Sequence, residues 1–183
     1  MNQNLIKVNK KNIDVLIDLR YSTNNNFTKE KVYFSQECYI HKVAYEHLHI
    51  AVEIAKKQKL ILKIFDAYRP TYVQKALWEF DPNPNFLSDP QKGSPHTRGI
   101  AIDLTLTDFN GNELEMGTKF DDFSEKAYHL SEDLERKVRT NRHLLLSIMT
   151  LAGFDFYHKE WWHYQLFNPS QYPLIHNFFN NEV

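Results

Sequence analysis

His96 and Asp103 are seven residues apart in Ser94-Pro95-His96-Thr97-Arg98-Gly99-Ile100-Ala101-Ile102-Asp103, and His163 closes the stretch Glu160-Trp161-Trp162-His163. Asp103 sits among apolar and small residues, where an uncompensated charge is costly and must find a cation or several hydrogen bonds. A metal ion meets that need. Gly99 supplies a turn across which His96 can fold back toward the same face and offer an imidazole nitrogen. Two histidines and one carboxylate leave a fourth position for water or substrate, a ligand set found in catalytic zinc sites. The lone Cys38 rules out the commoner thiolate-rich structural sites, although other metals stay open. A His-x6-Asp pair on its own is a weak signal. The remaining histidines, 41, 47, 49, 129, 143, 158 and 176, read as solvated or core residues.

Glu160 precedes His163 by three residues, which brings a carboxylate near such a metal without making it a ligand, so it is a candidate general base. The plainer alternative is a surface glutamate beside an aromatic core segment, Trp161 to Tyr164. Arg69 lies in Asp66-Ala67-Tyr68-Arg69-Pro70, and the following proline biases its backbone toward an extended form that aims it off a strand end. Its plainer alternative is a surface pair with Asp66, worth little.

The elements that must carry these groups follow from periodicity. Ala44, Leu48, Ala51 and Ala55 predict a core-facing helix from His41 to about Lys57. Leu60 to Phe65 is a nearly continuous apolar run, expected to be a buried strand ending at Asp66. Tyr72 to Phe80 reads as a short helix. Ile100 to Leu106 reads as a strand with Ile102, Leu104 and Leu106 on one face and Ala101, Asp103 and Thr105 on the other. Asn110-Gly111 is a hairpin signal. Leu144, Leu145, Ile148 and Leu151 mark a helix that Gly153 ends, and Phe154 to Tyr157 and Trp162 to Phe167 read as closing strands. Loops are expected at Ser22 to Asn26 and Asp81 to Asn85. Helices and hairpin-linked strands without a βαβ rhythm give an α+β class.

The chain has 183 residues, the size of one domain, and no linker or repeat divides residues 1–183. With 22 Lys and Arg against 23 Asp and Glu, no general field favours nucleic acid or an anionic membrane. No window has the roughly 18 apolar residues of a membrane span. The single cysteine, and the absence of an apolar run from Met1 to Lys11, point to the cytoplasm.

Taken together and in order, Asp-Ala-Tyr-Arg-Pro at 66–70, Ser-x-His-x-x-Gly-x-Ala-x-Asp at 94–103 and Glu-x-Trp-His at 160–163 resemble the metallopeptidases of the D-Ala-D-Ala carboxypeptidase and dipeptidase group. The fold this implies is an antiparallel sheet with flanking helices, shared with Hedgehog signalling domains. Within the group the chain looks most like the VanX-type D-alanyl-D-alanine dipeptidases, and Asp18-Leu19-Arg20-Tyr21-Ser22-Thr23, Asn26-Phe27-Thr28 and Met116-Gly117-Thr118-Lys119-Phe120-Asp121 extend the likeness over nearly the whole chain. The resemblance implies one Zn2+ per chain on His96, Asp103 and His163, catalytic Glu160, and Arg69 binding the scissile carbonyl as it becomes an oxyanion. It further implies that Asp121 receives the free ammonium of a small dipeptide substrate, with Tyr21 and Ser94 lining the pocket. Asp122 is the alternative to Asp121. It also implies a place in cell-wall metabolism, through antibiotic resistance or salvage of D-alanine. Two other readings stay open: a D,D-carboxypeptidase on peptidoglycan precursors, and a catalytically silent zinc-binding interaction domain. The latter would have no need of both Glu160 and Arg69. A homo-oligomer is neither required nor excluded.

Overall fold

The computed structural model describes residues 4–176, 178 and 179; the first three residues of the Met1 to Lys11 segment lie outside that range. The chain opens with β1 (Leu5–Val8) and the two-residue β2 (Leu16–Ile17), followed by β3 (Cys38–His41) and helix α1 (Lys42–Lys57). Strand β4 (Ile61–Asp66), helix α2 (Thr71–Phe80), strand β5 (Ala101–Thr107), helix α3 (Arg136–Leu151) and the short strands β6 (Asp155–Phe156) and β7 (His163–Gln165) complete it. Short 3-10 turns at Arg20–Ser22 and His96–Arg98 lie between these elements.

The main sheet runs β2-β4-β5-β7-β6, and β1 pairs separately with β3. The sheet is not purely antiparallel as expected, because β2 lies parallel to β4. Two residues carry no readable alternation, so β2 left no periodic signal. Nor did β3, whose Cys38-Tyr39-Ile40-His41 run passes directly into α1. At Asn110-Gly111 the chain turns back as the hairpin signal indicated, with the Gly111 N–H on the Asp108 carbonyl at 3.1 Å and the Leu114 N–H on the Leu106 carbonyl at 2.8 Å. The returning segment forms no strand and pairs with β5 through an isolated bridge between Thr107 and Glu113.

Helix α1 begins where His41 turns extended and its Nδ1 accepts the Val43 N–H at 3.3 Å, satisfying one of the orphan donors of the first turn. It packs against β4 and α3. Ala44, Leu48, Ala51 and Val52 join Ile64, Ile102, Leu104, Leu106 and Leu145 in one buried apolar cluster. Each large side chain buried there contributes roughly 1.5–3 kcal/mol. Gly153 ends the α3 segment at φ +94°, and a Cβ at that position would meet His47 Nδ1 at 2.6 Å. Both the left-handed turn and the close approach of α1 therefore require glycine. Leu151, part of the periodic pattern, is 71% exposed and lies off the core face.

The other face of β5 is polar. All seven of its residues are buried, Asp103 and Thr105 included. Opposite Asp103, β4 slips register between Ile64 and Asp66, so that Asp66 pairs with Asp103, while on the far side Asp103 pairs with His163 of β7. Such a bulge re-aims a side chain next to a site. Asp66, Asp103 and His163 thus lie abreast on three neighbouring strands.

Candidate active site

His96 reaches this row from the 3-10 turn that follows Pro95, and Gly99 closes the turn at φ +69°. A Cβ on Gly99 would lie 2.8 Å from Leu5 Cδ2 and 3.3 Å from the His41 nitrogen, so backbone and packing both exclude a side chain. Ser94, 3% exposed, supports the turn: its Oγ accepts the Thr97 N–H at 3.1 Å while Thr97 Oγ1 accepts the Ser94 N–H at 2.8 Å.

Ligand atoms of His96, Asp103 and His163 all lie within 4.8 Å of one another. His163 Nδ1 is 3.0 Å from Asp103 Oδ1 and 3.2 Å from His96 Nε2, which is itself 3.3 Å from Asp103 Oδ2. The outward nitrogens face oxygen acceptors: His96 Nδ1 is 2.7 Å from the Ala67 carbonyl and His163 Nε2 is 3.0 Å from Gln165 Oε1. With protons on those outer nitrogens, two imidazole lone pairs and a carboxylate point at one spot, and only a cation relieves their repulsion. The three residues fit a divalent metal with mixed nitrogen and oxygen ligands. The same packing sets the charges: burial alone would raise the Asp103 carboxyl, but His96 and His163 hold it well below the usual carboxylate range.

Glu160 is buried, its Oε2 lying 3.8 Å from His163 Nδ1. Burial pushes its carboxyl up to about 8, against the pull of His163 and Arg69 and with the push of Asp103. Arg69 is not the surface residue of the plainer alternative. It is 5% exposed, its Nε donates to Asp66 Oδ2 at 2.8 Å and its Nη1 to Gln74 Oε1 at 3.0 Å. Its Nη2 lies 3.6 Å from Asp103 Oδ2, and the guanidinium stands over the Tyr21 ring at 5.1 Å. Gln74 Nε2 donates in turn to the Ser88 carbonyl at 2.7 Å, tying the arginine to the loop over the cavity. Tyr33 hydroxyl donates to the far oxygen of Asp66.

Asp121 has φ +60°, a left-handed conformation that aspartate tolerates better than most residues. The Tyr21 hydroxyl donates to its Oδ1 at 3.0 Å, whereas the buried Oδ2 has no hydrogen-bond partner among the described residues. Burial, followed by the negative charge of Asp103, pushes this carboxyl well above the carboxylate range. Asp122 instead accepts the Ser124 N–H at 2.9 Å and does not line the cavity.

One cavity of about 320 Å3 collects Tyr21, Arg69, Ser94, His96, Asp103, Asp121, Glu160 and His163. Its size is at the low end of small-molecule sites. The outer wall is the 84–88 loop, pinned where Tyr157 hydroxyl donates to the Asn85 carbonyl at 2.9 Å and where Phe86 stacks on Phe123. Sequence reasoning missed Gln74 and Gln165, and although it expected a loop at Asp81 to Asn85 it did not place that loop at the cavity. Gln165 left a trace, since two residues beyond His163 in a strand means the same face. Gln74 and the loop reach the site through long-range contacts that no spacing announces.

A family model described as D-ala-D-ala dipeptidase matches residues 1–182. A D-alanyl-D-alanine dipeptidase of Escherichia coli is 40% identical over 162 residues, covering 88% of this chain and 84% of that protein. One from Enterococcus faecium is 34% identical over 171 residues, covering 81% and 84%, and one from Enterococcus faecalis is 31% identical over 197 residues, covering 91% of each. With a match across nearly its full length and a cavity that gathers the three sequence motifs into one place, this chain belongs to the D-Ala-D-Ala dipeptidase family of peptidases.

Proposed function

We propose that this protein hydrolyses the free dipeptide D-alanyl-D-alanine to two molecules of D-alanine, with one zinc ion held by His96, Asp103 and His163. The reading includes the fold shared with Hedgehog signalling domains. The observation that carries it is Asp121: a buried aspartate lining the same small cavity as the His-Asp-His cluster, one of whose carboxyl oxygens has no hydrogen-bond partner among the described residues. A free ammonium supplies both a donor and the compensating charge, whereas a peptide amide supplies a donor alone. The names of the relatives agree with this substrate.

When bound, zinc supplies Lewis acidity, polarising the amide carbonyl and acidifying the attacking water. Glu160 accepts the proton of that water as its oxygen bonds to the carbonyl carbon. The C–N bond then breaks, and Glu160 returns the proton to the leaving nitrogen, so one carboxylate serves as base and then acid. Arg69 donates to the carbonyl oxygen as negative charge builds on it, and its fixed hydrogen bonds to Asp66 and Gln74 mean that little reorganisation is needed at that moment. Asp121 and Tyr21 hold the amino end, while Ser94 shapes the wall beside His96.

The test is an assay of purified protein with D-Ala-D-Ala, other small dipeptides and N-acetyl-D-Ala-D-Ala. Strong preference for the free dipeptide is expected. Comparable kcat/KM for the acetylated form would replace this reading with a D,D-carboxypeptidase. Zinc binding without hydrolysis of any of them would leave a zinc-binding interaction domain.

A further inference from the structure

The two imidazoles of the cavity are oriented by different kinds of acceptor. His96 Nδ1 faces the Ala67 carbonyl at 2.7 Å, a backbone group that no side-chain change at position 67 removes. His163 Nε2 faces the side chain of Gln165, with Oε1 at 3.0 Å. Gln165 follows His163 by two residues in β7, so the two project to the same side of the sheet. Its backbone pairs with Ala101 of β5 on one side and with Asp155 of β6 on the other, which fixes the main chain from which the carboxamide projects.

A neutral imidazole carries one proton, and two oxygens compete for the proton of His163. Asp103 Oδ1 lies 3.0 Å from Nδ1, and Gln165 Oε1 lies 3.0 Å from Nε2. A proton on Nδ1 leaves no lone pair directed at His96 Nε2 and Asp103, and the site is then closed to a cation. A proton on Nε2 leaves Nδ1 free to ligate.

We propose that Gln165 is a positioning residue for the metal centre: its carboxamide oxygen accepts the Nε2 proton of His163 and so presents the Nδ1 lone pair to the metal. The assignment rests on the metal reading given above. It also fixes the amide orientation, because an NH2 group turned toward Nε2 would demand a lone pair there and drive the proton onto Nδ1. A glutamine does this without adding charge to a site that already holds Asp103, Glu160 and Asp121.

The experiment compares the full-length wild type with Gln165→Leu, which cannot accept, and Gln165→Glu, which can. Zinc affinity is read by competition with a chromogenic chelator. Gln165→Leu should bind zinc about 10- to 100-fold more weakly, and Gln165→Glu at least as tightly as wild type. A purely structural role for Gln165 would not separate the two variants in this way. Long-range proton–nitrogen NMR on the zinc-loaded wild type provides a readout that no folding defect can confuse, and His163 should carry its proton on Nε2. An Nδ1 proton, or unchanged zinc affinity in Gln165→Leu, overturns the assignment while leaving the metal reading in place. Failure of the wild type to bind zinc overturns both.

Discussion

Arg69 Nε donates to Asp66 Oδ2 at 2.8 Å in a pair whose side chains are 6% and 0% exposed. Three residues apart in sequence, the two lie at the end of a strand where water is almost excluded, so neither charge can be removed without stranding the other. The ion pair with Asp66 and the Gln74 carboxamide hold the guanidinium at two of its nitrogens, and the third lies toward Asp103.

Arg69→Ala is expected to lower kcat by about 10² to 10³, the range for losing one preorganised oxyanion donor. It should also destabilise the fold by roughly 3–5 kcal/mol, because Asp66 becomes a buried unpaired charge. Arg69→Lys should recover little, since an ammonium cannot reproduce the fork. Steady-state kinetics on the folded fraction and a thermal melt check both. A change confined to KM would move Arg69 to plain substrate binding.

Glu160→Gln keeps the shape of the side chain and removes its capacity to take up a proton. Turnover should fall by about 10² or more with zinc content unchanged, since proton transfer alone contributes that much. Near-normal turnover in this variant would exclude Glu160 from the reaction.

Exhaustive chelation should abolish hydrolysis, and stoichiometric zinc, one ion per chain, should restore it. His163→Ala should purify with little zinc. Full activity in protein shown by elemental analysis to lack metal would defeat the mechanism.

Asp121→Asn should erase most of the preference for D-Ala-D-Ala over its N-acetyl form, a discrimination of roughly 2 to 5 kcal/mol. Asp122→Asn should not, because Asp122 is engaged with the Ser124 backbone outside the cavity. The ratio of kcat/KM values for the two substrates is the measurement, and equal effects of the two substitutions would remove Asp121 as the anchor.

The pH dependence of stability should carry the signature of His129. Burial, with Arg142 and His143 nearby, lowers its imidazole from 6.5 to about 4 against a smaller pull from the Glu160 backbone. The unfolded chain therefore binds the extra proton between those values and the folded chain does not. The contribution of this one group is fully present above about 6.5 and is lost as pH falls toward 4, by roughly 3 kcal/mol. Urea unfolding of wild type and His129→Phe across this window should show a shallower slope for the variant, and parallel slopes would refute the assignment.

Much of this was readable from local pattern. Helix α1, the buried strand β4 and the polar row of β5 are periodic features, and period depends only on which face of an element meets the core. Asp103 was readable for a similar reason, since a carboxylate within an apolar run is anomalous wherever the run folds, whereas His96 and Glu160 stood out only through the ordered set of motifs that resembles a known family. Strands β1, β2 and β3 were not, being too short or too closely joined to a helix for alternation to register.

Side-chain identity along the chain supplied the histidines, the carboxylates and the arginine, and with them the chemistry open to this protein. Only the tertiary structure decided how they meet. The register shift between β4 and β5 sets Asp66 beside Asp103 and makes Arg69 a buried, braced cation rather than half of a surface pair. The left-handed backbone at Asp121 turns that carboxyl, and not its neighbour's, into the cavity. Gln74 and Gln165 enter because helix α2 and strand β7 deliver them there. Burial and hydrogen-bond partnership are properties of residues far apart in sequence, so they appear only when strand register and loop path bring those residues together.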